Sequence, residues 1–225
     1  MSHSYHQPEW KAHRLVASHF PPIQLFESIY ESEEEFRIAF ELESLTNDRL
    51  TSEAGSLSLI RKGDCMTGAG TTTIMAAFTH IGFESRFTNG EYGIYYSASC
   101  VETAIAETMY HKAKFLAATT EGDTELTMRQ YTNRIIKPLV DVRGRKDLHD
   151  PNCYTDSQTF GKSILMEKEW GIMYNSVRNV GGECAALLRP PANTSCTQGA
   201  HYRYVWCGQK QKMVGYFKIT AASTK

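Results

Sequence analysis

The sequence has no apolar run near the roughly 18 residues that a membrane span needs. Its opening stretch, MSHSYHQPEWKAHR, holds no apolar core of signal-peptide length. The chain is therefore expected in the cytoplasm, without membrane contact. A basic excess is missing too. The formal net charge is −1, whereas nucleic-acid binders carry surplus Lys and Arg to neutralise phosphates. Direct nucleic-acid binding is not expected.

The six cysteines (Cys65, Cys100, Cys153, Cys184, Cys196 and Cys207) are scattered, with no C-x-x-C pair. Zinc ribbons and thioredoxin-like redox sites need that close spacing, so neither is supported. Without an export signal the cysteines read as free thiols in a reducing compartment. No G-x-x-x-x-G-K-S/T phosphate loop, H-E-x-x-H helix or G-x-S-x-G elbow occurs, and GAG at 68–70 falls short of a dinucleotide fingerprint. The eight histidines lack metal-ligand spacing, so no metal site is expected. Nothing in the spacing brings a Cys/His hydrolase pair together.

What is present is ordinary globular material: 225 residues, 41% apolar and 22% charged, enough for one domain over 1–225 with a full core. Residues 1–13, polar and rich in His, are expected to be loosely held. RLVASHFPPIQLF reads as a strand followed by a Pro-Pro turn. SEEEFRIAFELESL reads as a helix with Ser32 as cap and Glu35 completing an S-x-x-E box. GDCMTGAGTTTIMAAFTHIG reads as a glycine-rich loop before an apolar run. TMRQYTNRIIKPLVDVRG gives two strands around Pro138, and SQTFGKSILMEKEW gives a helix. GIMYNSVR and ECAALLRP make strands flanking Gly181-Gly182, and HYRYVWCG with MVGYFKIT makes a last pair. Helices and strands mix without strict βαβ alternation, which predicts an α+β fold rather than a doubly wound sheet.

Residues 85–107, SRFTNGEYGIYYSASCVETAIAE, are the informative run. Asn89-Gly90 signals a turn and GIYYSA a strand. Ser99 is set to cap a helix, with Glu102 in the capping-box position. Val101, Ala104, Ile105, Thr108 and the stem of Lys112 form one stripe. Glu107 falls roughly 130° from the centre of that stripe, so it faces water or a cleft. Singly, Arg86 reads as a solvated hairpin residue, Tyr96 as a core aromatic and Glu107 as a solvated helix residue. Together, in one strand–helix unit, they can converge on one cleft.

This run resembles the signature of the RES-domain family, toxins of bacterial Xre–RES toxin–antitoxin pairs. The family pattern is approximately G-R-[WF]-N, L-Y-x-A and A-x-x-E, which appears here as SRFTNG, IYYSA and TAIAE. HRLVASHFPP is similar to the family's opening strand with its arginine, here Arg14. GIMYNSVRNVGGECAALLRP is similar to a later segment that places Ser176 at the family's serine and carries Arg178. ESLTNDRL and MAAFTH resemble the longer ParT-type branch. The asparagine that usually follows R-[WF] is displaced by Thr88 to Asn89. The serine position is open between Ser176, favoured by a whole matching strand, and Ser195 in PPANTS.

The resemblance implies an ADP-ribosyltransferase-like fold of mixed β-sheets with flanking helices. It implies cleavage of the nicotinamide–ribose bond of NAD, which is the substrate, with no cofactor. The ribosyl group is then passed to water, phosphate or a protein target. Arg86, Tyr96, Glu107 and Ser176 are the implied catalytic residues, and Arg14, Asn89 and Arg178 the implied nucleotide contacts. Breaking that bond leaves an oxocarbenium-like ribosyl cation, which a carboxylate stabilises. Guanidinium groups present paired donors to phosphate oxygens. An Xre-type antitoxin is the implied partner, with self-association open. A non-catalytic nucleotide-binding module is the rival from another class.

Overall fold

The computed structural model describes residues 3–18, 32–44 and 55–220. The Pro21-Pro22 turn and most of ESLTNDRL lie outside the described residues. Four helices occur within them: α1 (Glu33–Ser44), α2 (Thr72–Thr79), α3 (Val101–Ala117) and α4 (Thr155–Met166). The strands are β1 (Tyr5–His6), β2 (Lys11–Ala17), β3 (Tyr95–Ala98), β4 (Thr124–Arg134), β5 (Leu139–Asp141), β6 (Gly171–Asn175), β7 (Glu183–Leu187), β8 (Thr197–Cys207) and β9 (Lys212–Ile219).

These strands form one sheet in the order β1-β5-β6-β7-β3-β2-β4-β8-β9. Every pair is antiparallel except β5–β6, which is parallel and is joined by a crossover carrying α4. The α+β expectation holds, with a single mixed sheet in place of several.

Side chains alternate between the faces of a strand, and both faces of the central strands are covered. Tyr96, Ile172, Tyr174, Cys184 and Ala186 pack against α3 (Ala104, Ile105) and α4 (Ile164). Tyr95, Met173, Ala185 and Leu187 pack on the other face, against Phe36 of α1 and Ile74, Met75 and Phe78 of α2. Burying an Ile such as Ile105 or Ile172 contributes about 1.5–3 kcal/mol. The apolar stripe read on α3 is the face that packs. Ala104 and Ile105 are buried, and the Thr108 hydroxyl meets Tyr204 Oη at 2.7 Å.

Local readings diverge in three places. The described part of 1–13, from His3 on, is tied down rather than loose: β1 pairs with β5, the Tyr5 hydroxyl donates to Glu169, and Gln7 donates to the Ile135 carbonyl. Polar composition suggested looseness, but backbone pairing needs no apolar side chains. Next, Ser32 caps α1 as expected, accepting from the Glu35 amide at 3.1 Å, but Ser99 does not cap α3. Cys100 holds the cap position without a side-chain cap bond, because Ser99 is drawn into pairing with Glu183, whose amide its Oγ accepts. Finally, the tight turn of the 85–93 segment is centred on Arg86–Phe87, closed by a Ser85–Thr88 bridge. Asn89-Gly90 forms the bend that follows, with Gly90 at φ +100°.

Candidate active site

Three elements carry the site: the Arg86–Phe87 turn leading into β3, the middle of α3, and the loop between β6 and β7. The turn is fixed by two tyrosines acting on the backbone of one residue, Phe87. Tyr96 Oη accepts the Phe87 amide at 3.1 Å and meets Ser85 Oγ at 2.7 Å. The Tyr92 hydroxyl donates to the Phe87 carbonyl. Burial pushes the Tyr96 phenol up to about 12, against the opposing pull of Ser85, the Phe87 amide and Arg86. The hydroxyl thus stays protonated near neutral pH and serves the turn.

Held this way, Arg86 is only 6% exposed. Its Nη1 donates to the carbonyls of Leu148 and Asp150 at 3.1 and 3.0 Å, and the guanidinium lies 4.9 Å from the Tyr154 ring centroid. Arg178 approaches from the β6–β7 loop. Its guanidinium lies 3.3 Å from the Tyr110 ring centroid and donates to the Pro151 carbonyl and to Tyr154 Oη. Tyr154 therefore touches both arginines. Among the described residues neither arginine has a carboxylate at ion-pair distance, and Arg178 Nε is buried without a partner. Two cations without a direct ion-pair partner make this corner receptive to an anion.

Glu107, half-buried on α3, is the carboxylate of the cluster. Ser176 Oγ donates to its Oε1 at 2.6 Å, so of the two candidate serines Ser176 is the one in contact with the carboxylate. Ser195 is exposed, just before β8. Glu107 is thus not simply solvated: it is half-buried and engaged by Ser176. One turn further along α3, His111 is held below its ordinary value by burial; Glu107 opposes this, while Arg178, Lys114 and Arg86 reinforce it. The imidazole thus senses the whole group.

Two implied contacts sit elsewhere. Arg14 donates to the Tyr96 carbonyl at 3.0 Å and stacks 4.6 Å from the Tyr95 ring centroid, on the face opposite the Tyr96 side chain. Burial pulls its guanidinium below the ordinary arginine value. It lines a cleft of about 250 Å³ with Ser85, Thr88, Tyr92 and Tyr96. Asn89 is exposed, and its Oδ1 accepts the Glu91 amide; it serves the bend. Sequence reading missed Tyr110, Tyr154, Thr103 and Asn179. Tyr110, three residues after Glu107, and Thr103, four before it, had a helical-spacing signal; Tyr154 and Asn179 had none. Among the described residues no cluster of His, Cys, Asp and Glu is arranged to hold a metal ion, and no helix is long and apolar enough to cross a membrane.

A RES domain is matched over residues 66–207, which contain Arg86, Tyr96, Glu107, Ser176 and Arg178. The chain belongs to the RES-domain family. With the family comes the ADP-ribosyltransferase-like fold. This RES protein is 29% identical over 206 residues to "Uncharacterized protein y4oC" of Sinorhizobium fredii, spanning 91% of this chain and 86% of that one. It also aligns with a chain of the M. tuberculosis MbcT–MbcA toxin–antitoxin complex, at TM-score 0.41 and 11% identity, over 57% of this chain and 75% of that one. So distant a likeness carries no weight beside the family match.

Proposed function

We propose that this RES domain is an NAD-consuming enzyme, the toxin of a bacterial toxin–antitoxin pair. The observation that carries the reading is the Glu107 carboxylate, oriented by Ser176 at 2.6 Å, beside two arginines with no carboxylate partner. Arg86 and Arg178 take the diphosphate through paired donors. Glu107 lies against the nicotinamide ribose. The C1′–N bond breaks, and its electron pair leaves with the pyridinium nitrogen as neutral nicotinamide. The cation left on the ribose is stabilised by Glu107. An acceptor then attacks C1′ and gives up a proton.

The reaction so written uses no metal and changes no oxidation state. Tyr96 enters chiefly by fixing the turn that carries Arg86. Arg14, in the neighbouring cleft, and Asn89, on the bend, are assigned to the distal part of the nucleotide. The family relation supports an Xre-type antitoxin as partner and a cytoplasmic site of action.

Water, phosphate or a protein side chain all serve as acceptors of the same carbon. Product masses from NAD with and without phosphate separate hydrolysis from phosphorolysis. Labelled NAD in cell extract identifies protein transfer by a labelled band. If pure protein in all these conditions releases no nicotinamide, the enzymatic reading falls and the binding-module reading replaces it.

A further inference from the structure

The Ser176 hydroxyl has one proton to donate and two lone pairs to accept with. Both acceptor positions are filled, by the amides of Arg178 at 3.1 Å and Asn179 at 3.0 Å. The single proton is thereby left for Glu107 Oε1. This arrangement exists only while the 176–182 loop keeps its shape and its place on α3.

The shape comes from the loop backbone. The Ser176 amide donates to the Gly182 carbonyl, the Gly182 amide donates to the Asn179 carbonyl, and Gly181 sits at φ +82°. The place comes from two side chains: Arg178 lies over the Tyr110 ring of α3, and Asn179 supplies a hydrogen bond to the buried side of that helix. Asn179 Nδ2 donates to Thr103 Oγ1 at 2.7 Å. Thr103 is fully buried on α3, four residues before Glu107. Residues four apart share one helix face, so the anchor and the carboxylate move as one body. The fit there is close: a Cβ on Gly182 would lie 2.4 Å from Thr103 Oγ1.

We propose that Asn179, through Thr103, is a positioning residue that sets the Ser176–Glu107 contact by pinning the β6–β7 loop to the helix bearing Glu107. The inference rests on the NAD-consuming reading for its kinetic consequence and stands apart from it for its structural one. Asn179 acts through Ser176 and touches no reacting atom.

The test combines kinetics with amide exchange on the full chain. Asn179→Ala is expected to lower kcat for NAD consumption about tenfold, the scale of one lost hydrogen bond, while KM changes less than about twofold. Combined with Ser176→Ala it should add nothing further. Thr103→Val should reproduce the loss, and Thr103→Ser, which keeps the hydroxyl, should restore it. In the same Asn179→Ala protein, exchange of the Arg178 amide should speed up at least about tenfold on the same hydrogen-bond scale. Additive losses in the double variant, or a change confined to KM, overturn the proposal. If the wild type proves inactive on NAD, the exchange measurement decides alone, and unchanged Arg178 protection overturns the pinning.

Discussion

Ser176 Oγ lies 2.6 Å from Glu107 Oε1, with two backbone amides occupying the other side of the same oxygen. A hydroxyl held in this way orients the carboxylate without neutralising it. A hydrogen bond to a charged group is worth about 1.5–3 kcal/mol. Ser176→Ala should therefore cut NAD turnover by about 10–100-fold on that scale, measured as nicotinamide release. Ser195→Ala, a change at an exposed position, should leave turnover intact. The reverse ranking would move the serine role to Ser195.

Tyr96→Phe removes the acceptor of the Phe87 amide and the partner of Ser85. Phe87 is fully buried, so its amide would be left without a partner. We expect a loss of about 1–3 kcal/mol in urea denaturation, the cost of one unsatisfied buried donor. Activity should fall with it, as the Arg86 turn loosens. A variant of unchanged stability that merely binds NAD less tightly would favour direct contact of Tyr96 with the nucleotide instead.

Arg86→Lys keeps the charge but loses the planar fork. The guanidinium meets two carbonyls and stacks on Tyr154, and an ammonium cannot satisfy all three. KM for NAD should rise by about tenfold or more, the scale of one charge-assisted hydrogen bond. Wild-type kinetics in the lysine variant would show that only charge matters at this position.

Much of this arrangement was legible before any coordinates. Period-3.6 patterning placed Ala104 and Ile105 inward and took Glu107 off that face, toward water or a cleft, because helix faces follow spacing alone. The strands GIMYN and ECAAL were readable as short apolar runs on either side of the Gly181-Gly182 turn. Ser99 was misread because a capping signature is local, whereas its hydroxyl is claimed by Glu183 across the sheet. Tyr154 and Asn179 were invisible in the sequence. Their partners Arg86, Arg178 and Thr103 lie far along the chain, and no spacing rule links a stacked ring to its cation. Arg14 was suggestive by residue type, but its place was not legible: strand alternation sets it on the second face of the sheet, where it lines the cleft with Ser85 and Thr88.

Stability should fall on the acid side of neutrality. His13 Nδ1 faces the Gln130 Nε2 donor at 2.8 Å, so a proton there has no acceptor. Burial, and then Lys11, hold its value below the ordinary 6.5, with Glu102 opposing. Between that lower folded value and 6.5 the unfolded chain binds more protons, so stability drops as pH falls below 6.5 and is complete above it. His111 shifts in the same direction. Denaturation midpoints at pH 7.5 and 5.5 should differ in the wild type and differ less in His13→Gln. An undiminished pH effect in that variant would remove His13 from the account.

The central claim is that Glu107 is the carboxylate that stabilises the ribosyl cation. Glu107→Gln removes the charge and almost no volume, and its amide oxygen still accepts from Ser176. Nicotinamide release from NAD by the purified variant, beside wild type of equal stability, tests the claim directly. The account predicts wild-type release and a loss of about 10²–10³-fold or more in the variant, the scale set by removing one transition-state stabiliser. Release by Glu107→Gln at the wild-type rate would contradict it.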